Sequence, residues 1–248
     1  MDPVALYTTE HFITSSDVDF ASKLRLSAMF DFFQDIASQH AANLGASVER
    51  LREDYGAAWI LTRARLEVDR YPVLHDKITL ETWPQAPRAL YERDYAIRNE
   101  AGDVMARAAS TWIIMKLKTR EIMREKLLDY YNIELKKDRA LEKRVGKLRP
   151  VENAAPVYEK PIGYSDIDYN EHINNARYVD YVMDCMTVQE HKQRTARAIE
   201  IHYLNEAVPG ETILLRRAEA GSEGKSVYVD GVEKTGGAQV FVSVTEFE

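Results

Sequence analysis

Two stretches of the chain place apolar side chains at three- and four-residue spacings, which is the pattern of a helix with one buried face. The first stripe runs from Met29 to Leu44, and Gly45 is a natural stop because glycine tolerates the left-handed conformation that ends many helices. The second stripe runs from Tyr178 to Met186, with Asn174 as its N-cap. The pattern predicts two long amphipathic helices whose apolar faces belong to hydrophobic cores.

Runs rich in β-branched and aromatic residues follow each predicted helix, and a short strand precedes it. Turn residues separate the runs, for example at 100–103 and 221–224. Such short connections join antiparallel strands, because parallel neighbours need a long crossover. The predicted strands cover residues 59–68, 76–83, 88–98 and 104–117 in the first half, and residues 198–205, 211–219, 226–233 and 238–247 in the second.

The two halves of the chain are copies of one unit. Residues 16–35 align without a gap on residues 165–184, at an offset of 149. Later landmarks align at a smaller offset of about 135: Asp69 and Pro72 with Glu206 and Pro209, Gly102 with Gly236, and Thr111–Ile114 with Val240–Val242. A repeated order of strand, helix and several strands predicts an α+β fold used twice.

Length and composition fit two packed domains. The chain has 248 residues, of which 45% are hydrophobic, and this is enough apolar material for two cores. Gly146, Pro150 and Pro156 interrupt a basic stretch between the copies and indicate a linker. We predict a first domain at residues 1–135, a basic linker at 136–157 and a second domain at 158–248.

Charge and cysteine content limit the function classes. The net charge of −7 argues against a broad nucleic-acid surface. No apolar run is long enough to span a bilayer, the start lacks the pattern of a secretory signal, and the single Cys185 allows no internal disulfide, so we expect a cytoplasmic protein without membrane association. Residues 136–149 carry a local charge of about +5, which suits either a solvated linker or a landing site for an acidic partner.

The copies differ where reactive side chains are expected. Residues 21–23 of the first copy, Ala-Ser-Lys, align with Asn170, Glu171 and His172 of the second. Together with Asp168 these residues form a polar cluster directly before the second helix, whose N-terminus offers N–H groups and a partial positive charge to a developing oxyanion. The alternative is that Asp168, Asn170 and Asn174 only form the turn and cap the helix.

The stretch Ser165–Tyr178 resembles the SDxDxNxHxNNxxY signature of the fatty acyl-acyl carrier protein (acyl-ACP) thioesterases. Residues 59–63, 68–72 and 109–112 are similar to the N-terminal domain of that family, and the resemblance covers most of residues 7–245. It implies a tandem, or double, hotdog fold, in which each repeat is a long central helix wrapped by an antiparallel sheet. It also implies a hydrolase of lipid metabolism that releases free fatty acid and holo-acyl carrier protein during fatty acid biosynthesis.

The resemblance also implies the site residues. Asp168, Asn170 and His172 match catalytic residues of the family, and Glu206 matches the glutamate that follows a few strands later. Plant members carry a cysteine directly after this glutamate, whereas this chain has Ala207, so a cysteine nucleophile is not expected there. The first repeat would supply the acyl-chain pocket from residues such as Met29, Phe30, Phe33 and Trp59, although ordinary core packing explains each of them equally.

A hypothesis for the mechanism follows from these assignments. Glu206 acts as general base on water, His172 shares or positions the proton, Asn170 orients the water or the thioester, and Asp168 holds Asn170 or His172. A covalent acyl-glutamate intermediate is the open alternative. The acidic acyl carrier protein is the expected partner, steered by the basic stretch or by Arg63, Arg65 and Arg70. A homodimer of the tandem protein is also open.

Other enzyme classes lack their signatures in this chain. The motifs of serine hydrolases, phosphate-binding loops and zinc helices are absent from the sequence, and we expect no metal or organic cofactor. Three alternatives to the acyl-ACP thioesterase stay open: a hotdog thioesterase for coenzyme A esters, a hotdog dehydratase, and a non-catalytic sensor of acyl thioesters. Turnover of acyl-ACP and acyl-CoA substrates discriminates among them.

Overall fold

A computed structural model describes residues 2–86, 90–123, 133–143, 145–221 and 225–248. These residues form two compact units, Met1–Ala64 with Asp69–Val145, and Arg65–Val68 with Gly146–Glu248. Ten strands are assigned in the described ranges, and the paired neighbours within each unit run antiparallel. The predicted α+β class and antiparallel pairing are confirmed, and both are consistent with a hotdog fold.

The first unit contains one long helix and a meander of strands. The elements are β1 (Tyr7–Phe12), α1 (Leu26–Asn43), α2 (Val48–Tyr55), β2 (Ala57–Val68), β3 (Lys77–Pro84), β4 (Tyr91–Asn99) and β5 (Val104–Lys116). The strands of this unit lie in the order β1-β3-β4-β5-β2, and the long helix α1 packs against β3 and β1. Met29, Phe30 and Phe33 are buried, so the apolar stripe of α1 is core.

The second unit repeats this order. The elements are β6 (Ala155–Pro161), a 3-10 turn (Tyr164–Asp166), α3 (Asn175–Asp184), α4 (Val188–Gln193), β7 (Ala196–Tyr203), β8 (Thr212–Ala220), β9 (Ser226–Glu233) and β10 (Gln239–Phe247). The strands of this unit lie in the order β2-β7-β10-β9-β8-β6, and only the last four residues of β2 belong to it. Each predicted strand is present, with ends shifted by at most three residues, although residues 88 and 89 of one prediction lie outside the described ranges.

Two short helices were not predicted. The hydroxyl of Ser47 caps α2 by accepting from the backbone N–H of Arg50 at 3.2 Å, and the helix ends at Gly56, whose φ is 58°. A capping box between Thr187 and Glu190 begins α4. Helices of one or two turns are too short for an apolar stripe, so their capping residues are the main sequence signal.

The second long helix is shorter than its apolar stripe. It begins after Asn174, as predicted, but it ends at Asp184, so the predicted continuation of the helix to Met186 is wrong. Cys185 is the C-cap and is buried, with its thiol donating to the carbonyl of Tyr181 at 3.2 Å. Met186 lies beyond the helix and is buried as well. The stripe therefore identified core residues correctly and the end of the helix incorrectly.

The segment between the copies is divided between the two units. The carbonyl of Asp138 accepts from the indole N–H of Trp83 at 2.8 Å, and the N–H of Ala140 donates to Asp94, so this part lies on the first unit. Strand β6 begins at Ala155. The predicted domain limits at 135 and 158 stay a prediction, with both ends of the predicted linker engaged in packed structure.

The loop before α1 is held by one carboxylate. Asp19 Oδ1 accepts from the backbone N–H groups of Ala21 at 2.8 Å and Lys23 at 3.0 Å. The N–H of Ser22 donates to the carbonyl of Asp19, and Ser22 has a φ of 60°. An aspartate that closes its own turn in this way fixes the backbone while leaving the following side chains free to vary.

After the helices, backbone features recur at an offset of 135. In the first unit, the N–H groups of Asp69 and Arg70 both donate to Met105, His75 has positive φ, and Asp76 accepts from the N–H of Val73. In the second unit, Leu204 and Asn205 both donate to Val240, Gly210 has positive φ, and Glu211 accepts from the N–H of Val208. These matches fix the equivalence of the two loops residue by residue.

This equivalence corrects part of the sequence alignment. At an offset of 135, Glu206 corresponds to Tyr71, so its alignment with Asp69 is wrong by two positions, as is that of Pro72 with Pro209. The alignments of Gly102 and of residues 111–114 are also wrong, because Met105 corresponds to Val240. The alignment before the helices, at an offset of 149, is confirmed by the turn described next.

Candidate active site

The loop before α3 repeats the loop before α1, bond for bond. Asp168 Oδ1 accepts from the backbone N–H of Asn170 at 2.8 Å and of His172 at 3.4 Å. The N–H of Glu171 donates to the carbonyl of Asp168 at 3.0 Å, and Glu171 has a φ of 65°. Asp168 therefore shapes this loop as Asp19 shapes the other, and the loop presents Asn170, half-buried, and His172, exposed.

His172 and Glu206 come together in the second unit. His172 Nδ1 lies 3.5 Å from Glu206 Oε1, with 48% of the histidine side chain and 36% of the glutamate side chain exposed. Three of the four predicted catalytic residues lie within one loop, and the fourth reaches it from the loop after β7. A carboxylate beside an imidazole, both open to water, can accept and pass on a proton.

The equivalent positions of the first unit also face each other, with different chemistry. Lys23 corresponds to His172, and Tyr71 corresponds to Glu206. The Lys23 ammonium lies 5.5 Å from the centroid of the Tyr71 ring. This cation–π pair brings neither a carboxylate nor an imidazole to the position. The repeat thus places two side chains in the same arrangement twice, and only the second pair suits acid–base chemistry.

Several backbone N–H groups near the site are already engaged. Asn174 caps α3, accepting from the N–H of Ala176 at 2.8 Å with its side chain and from the N–H of Arg177 at 2.9 Å with its carbonyl. In the preceding loop, the N–H groups of Asn170 and His172 point to Asp168. An oxyanion that used any of these N–H groups would have to replace its present bond.

Sequence reasoning missed an aromatic cluster around Tyr178. Tyr178, on α3, is buried. Burial raises the pKa of this phenol well above its ordinary value. Its ring meets those of Tyr181, Tyr203 and Phe241 edge-on, at centroid distances of 5.4 to 5.7 Å. Tyr178 is the last residue of the family signature. The apolar periodicity predicted its place in the helix stripe and did not predict its aromatic neighbours.

A buried ionic cluster lies elsewhere in the second unit. Arg65 is only 7% exposed and contacts Glu67 Oε1 at 2.7 Å, Glu246 Oε1 at 3.0 Å and Glu200 Oε2 at 3.6 Å. Glu200 also lies 3.0 Å from His202 Nε2. The prediction that Arg65 helps to steer an acidic partner is therefore wrong, because its charge is buried and paired.

The basic stretch is only partly available to a partner. Lys136 lies over the ring of Trp83 at 3.9 Å, and Arg139 pairs with Glu92 at 2.6 Å. Arg144, which the sequence analysis counted in this stretch, lies outside the described residues. Among the described basic residues of the stretch, Lys137 and Lys143 in the first unit and Lys147 and Arg149 in the second are exposed, and so is Arg139 although it pairs with Glu92.

Metal sites and membrane-spanning helices were sought within the described ranges. No group of three His, Cys, Asp or Glu residues there is arranged to hold a metal ion. No helix in the same ranges has the length and apolar character needed to cross a bilayer.

The described residues form an antiparallel α+β fold in which one turn is built twice. The acid–base pair occurs in the second copy, where the first copy has Lys23 and Tyr71. Two family models agree with this arrangement. The acyl-ACP thioesterase N-terminal domain matches residues 5–131, and the acyl-ACP thioesterase C-terminal domain matches residues 153–247. The chain therefore belongs to the acyl-ACP thioesterase family, as the signature at residues 165–178 predicted.

Similar proteins come from plants. The chain is 24% identical over 221 residues to oleoyl-acyl carrier protein thioesterase 2, chloroplastic, of Arabidopsis thaliana, which covers 81% of this chain and 59% of that protein. It is 22% identical over 214 residues to palmitoyl-acyl carrier protein thioesterase, chloroplastic, of the same plant, covering 78% of this chain and 50% of that protein. The chain thus spans between 50% and 59% of the length of these two relatives.

Solved structures share the fold. An acyl-ACP thioesterase from Bacteroides thetaiotaomicron superposes with a TM-score of 0.89 at 24% identity, covering 98% of both chains. The 12:0-ACP thioesterase from Umbellularia californica superposes with a TM-score of 0.87 at 19% identity, covering 99% of this chain and 98% of that chain. At these identities the structures establish a common fold.

Proposed function

We propose that this chain hydrolyses fatty acyl-ACP thioesters to free fatty acid and holo-acyl carrier protein. The observation that carries the proposal is the His172–Glu206 pair, which stands where the first unit has Lys23 and Tyr71. Membership of the acyl-ACP thioesterase family supports the substrate class. Hydrolysis of coenzyme A thioesters is the alternative, since the chemistry at the acyl carbon is the same.

The reaction needs one activated water. Glu206 removes a proton from water, the water oxygen attacks the thioester carbonyl carbon, and the carbon–sulfur bond of the resulting intermediate breaks. The departing thiolate takes up a proton from His172. His172 can in turn receive the proton that Glu206 took from water, because its Nδ1 lies 3.5 Å from Glu206 Oε1. A thiol with a pKa of roughly 8.5 leaves far more readily than an alcohol, so little acid assistance is required.

Asn170 and Asp168 have supporting roles in this proposal. Asn170 orients the water or the thioester carbonyl from the same loop, two residues before His172. Asp168 holds Asn170 and His172 through their backbone N–H groups, so it acts on loop geometry. Attack by Glu206 itself expels the thiolate and forms an acyl-glutamate anhydride; when water then attacks the glutamyl carbon, an oxygen of the Glu206 carboxylate leaves with the fatty acid.

A cysteine nucleophile has no support in this chain. Ala207 follows Glu206, so no thiol is present at that position. Cys185 is buried, burial raises the pKa of its thiol to about 12, and the thiol donates to Tyr181. A thiol with such a pKa is almost entirely protonated at neutral pH and is a poor nucleophile.

The partner proposal is an acidic acyl carrier protein attracted by exposed basic side chains. Lys137, Lys143, Lys147 and Arg149 are exposed and belong to the stretch whose local charge is about +5. Because such steering weakens with ionic strength, kcat/KM for acyl-ACP should fall with added salt more steeply than kcat/KM for acyl-CoA. Equal salt dependence of the two would remove the support for this surface.

The remaining architectural proposals concern the whole chain. We propose a double hotdog with domains at 1–135 and 158–248 joined by a basic linker at 136–157, supported by the loops that repeat at offsets of 149 and 135. An acyl pocket in the first domain is part of the proposal, although Met29, Phe30 and Phe33 are packed core residues.

Cytoplasmic location and self-association into a homodimer stay predictions. Light scattering tests the homodimer.

Release of free fatty acid from a panel of acyl-ACPs and matching acyl-CoAs tests the function. Wild type should prefer acyl-ACP, and Glu206→Ala and His172→Ala should each lose about 10²-fold or more in kcat. Lys23→Ala and Tyr71→Phe alter the equivalent positions of the first unit and are the matched controls, with kcat within about twofold of wild type. A preference for acyl-CoA would favour the alternative, and absence of turnover would refute both.

A further inference from the structure

Asp166 is a buried carboxylate directly in front of the site loop (residues 168–172). Only 4% of the residue is exposed, and it lies in the 3-10 turn that separates β6 from the loop. Its Oδ2 accepts from the Lys160 ammonium at 2.9 Å and from the backbone N–H of Gly163 at 2.8 Å. Its Oδ1 accepts from the Tyr181 hydroxyl at 2.7 Å. One side chain therefore joins the end of β6, the turn and the second turn of α3.

The backbone of Asp166 closes the base of the site loop. Its carbonyl accepts from the N–H of Asn174 at 2.9 Å, and above this bond the N–H of Asp168 donates to the carbonyl of His172 at 2.8 Å. The chain thus forms a short antiparallel ladder with Asp166 at one end and His172 at the other. A change in the orientation of Asp166 is therefore carried to the imidazole.

We infer that Asp166 is a positioning residue that holds the site loop against α3 and thereby keeps His172 beside Glu206. This inference rests on the proposed function. Glu206 is tied to the same helix, because the hydroxyl of Tyr203, three residues before it, donates to the carbonyl of Asn175 at 3.1 Å. Helix α3 is therefore the common support of both members of the pair. The 3.5 Å contact between Nδ1 and Oε1 is kept only while both loops keep their places on that helix.

The carboxylate of Asp166 is ionised at neutral pH. Burial by itself raises the pKa of Asp166. The hydrogen bonds from Gly163, Tyr181 and Lys160, with the charge of Lys160, together lower it by more, so the pKa lies below the ordinary value. Hydrogen bonds to an ionised acceptor are roughly twice as strong as bonds between neutral groups. Tyr181 is 2% exposed, so water does not compete for its bond to this carboxylate.

The first unit contains equivalents of the residues that form this anchor. They stand at the offset of 149: Asp17 for Asp166, Phe32 for Tyr181 and His11 for Lys160. The rings of His11 and Phe32 lie 4.9 Å apart between centroids. In the second unit, the Lys160 ammonium likewise lies 5.3 Å from the centroid of the Tyr181 ring. The fold therefore brings the same two positions together in both copies.

Asp17 keeps only the contacts that shape the turn. Its Oδ2 accepts from the backbone N–H of Thr14 at 2.8 Å, and its carbonyl accepts from the N–H of Arg25 at 2.9 Å. Phe32 has no hydroxyl, so the bond from this helix position to the carboxylate cannot form in the first unit. The tie between loop and helix thus occurs in the copy whose loop carries half of the acid–base pair, and formation of the turn does not require it.

Tyr181→Phe tests the inference, because it removes the hydroxyl and keeps the ring. We expect kcat for acyl-ACP to fall about tenfold or more, with KM within about twofold, because a small misplacement of a reacting group slows chemistry more than binding. Tyr228→Phe is the matched control. Tyr228 is 1% exposed in the same unit, and its hydroxyl donates at 2.8 Å to the buried Asp230 of the same strand. This control should lower Tm by a similar amount and leave kcat within about twofold of wild type.

Hydrogen exchange of two loop amides, followed by NMR, gives a readout that needs no turnover. The N–H groups of Asp168 and Asn174 close the site loop, so both should exchange at least about threefold faster in Tyr181→Phe, and at the wild-type rate in Tyr228→Phe. Unchanged exchange in Tyr181→Phe, a kcat within twofold of wild type, or equal effects of the two variants would overturn the inference. If wild type turns over no thioester, the proposed function fails, and the exchange rates still decide whether Asp166 fixes the loop.

Discussion

Removing Arg65 should destabilise the second unit more than removing any ordinary surface arginine. The side chain is 7% exposed and lies between three carboxylates, those of Glu67, Glu200 and Glu246. Glu200 is itself buried, whereas the side chains of Glu67 and Glu246 are partly open to water. Arg65→Met keeps most of the aliphatic volume and removes the charge, so the effect reports mainly on the carboxylates left behind.

The magnitude follows from the burial of Glu200. A buried carboxylate that loses its cation is left uncompensated in a poorly solvated place, and breaking such a pair costs about 3 to 5 kcal/mol. The lower end applies here, because Glu200 keeps two other partners, His202 at 3.0 Å and the N–H of Gly146 at 3.1 Å. We therefore expect Arg65→Met to lower the free energy of unfolding by about 3 kcal/mol.

Urea denaturation at pH 7, followed by circular dichroism, measures this loss. The matched control is Arg50→Met, which breaks an exposed pair with Asp54 one helical turn away, at 3.2 Å, where 59% of the arginine side chain is exposed. Exposed pairs of this kind contribute about 0.3 to 0.5 kcal/mol. Losses of the same size in the two variants, or a loss below about 1 kcal/mol for Arg65→Met, would refute the reasoning from burial.

Three other predictions concern single side chains. Burial by itself raises the pKa of Glu200. The hydrogen bond to His202, the electrostatic interactions with His202 and Arg65, and the N–H of Gly146 together lower this pKa by more than burial raises it. The pKa of Glu200 is therefore below the unfolded value of about 4.3. Its contribution to stability is therefore complete above that pH and is lost as pH falls through the folded value; urea titrations between pH 3 and 7 on wild type and Glu200→Gln should show a smaller slope in the variant, and equal slopes would contradict this. Asp168→Ala and Asp19→Ala remove equivalent turns and should lower the free energy of unfolding by similar amounts, about 1 to 3 kcal/mol. Only Asp168→Ala should lower kcat. Equal activity of the two variants would count against a catalytic role of the Asp168 loop. Cys185 should resist a thiol reagent in the native protein and react on unfolding, and Cys185→Ala should keep full kcat; rapid native labelling would contradict its burial.

Periodicity and turn chemistry predicted most of the fold. The helix stripes, the β-branched runs and the cap at Asn174 depend on short-range physics that the sequence displays directly. The end of α3 was misplaced because Cys185 and Met186 are buried although they follow the helix. Burial and helicity coincide in a stripe, and the pattern alone does not separate them.

The candidate site was predicted less evenly. The loop from Asp168 to His172 was found because Asn170, Glu171 and His172 stand where the other copy has alanine, serine and lysine. The repeat equivalence of Glu206 was missed by two positions, since an acidic residue and a proline at similar spacing occur in both loops and only hydrogen-bond register distinguishes them. The burial of Arg65 was missed for a related reason: two of its three carboxylate partners, Glu200 and Glu246, come from distant parts of the sequence, the latter 181 positions away.

The repeated loop explains how one scaffold carries chemistry in one copy and none in the other. Asp19 and Asp168 close the same turn, and the positive-φ positions of Ser22 and Glu171 complete it, so the backbone path does not depend on the residues in between. The position after the positive-φ residue faces the loop after the next long strand in both copies, whether it holds Lys23 or His172. Placement is thus a property of the fold, and reactivity a property of which pair of side chains occupies it.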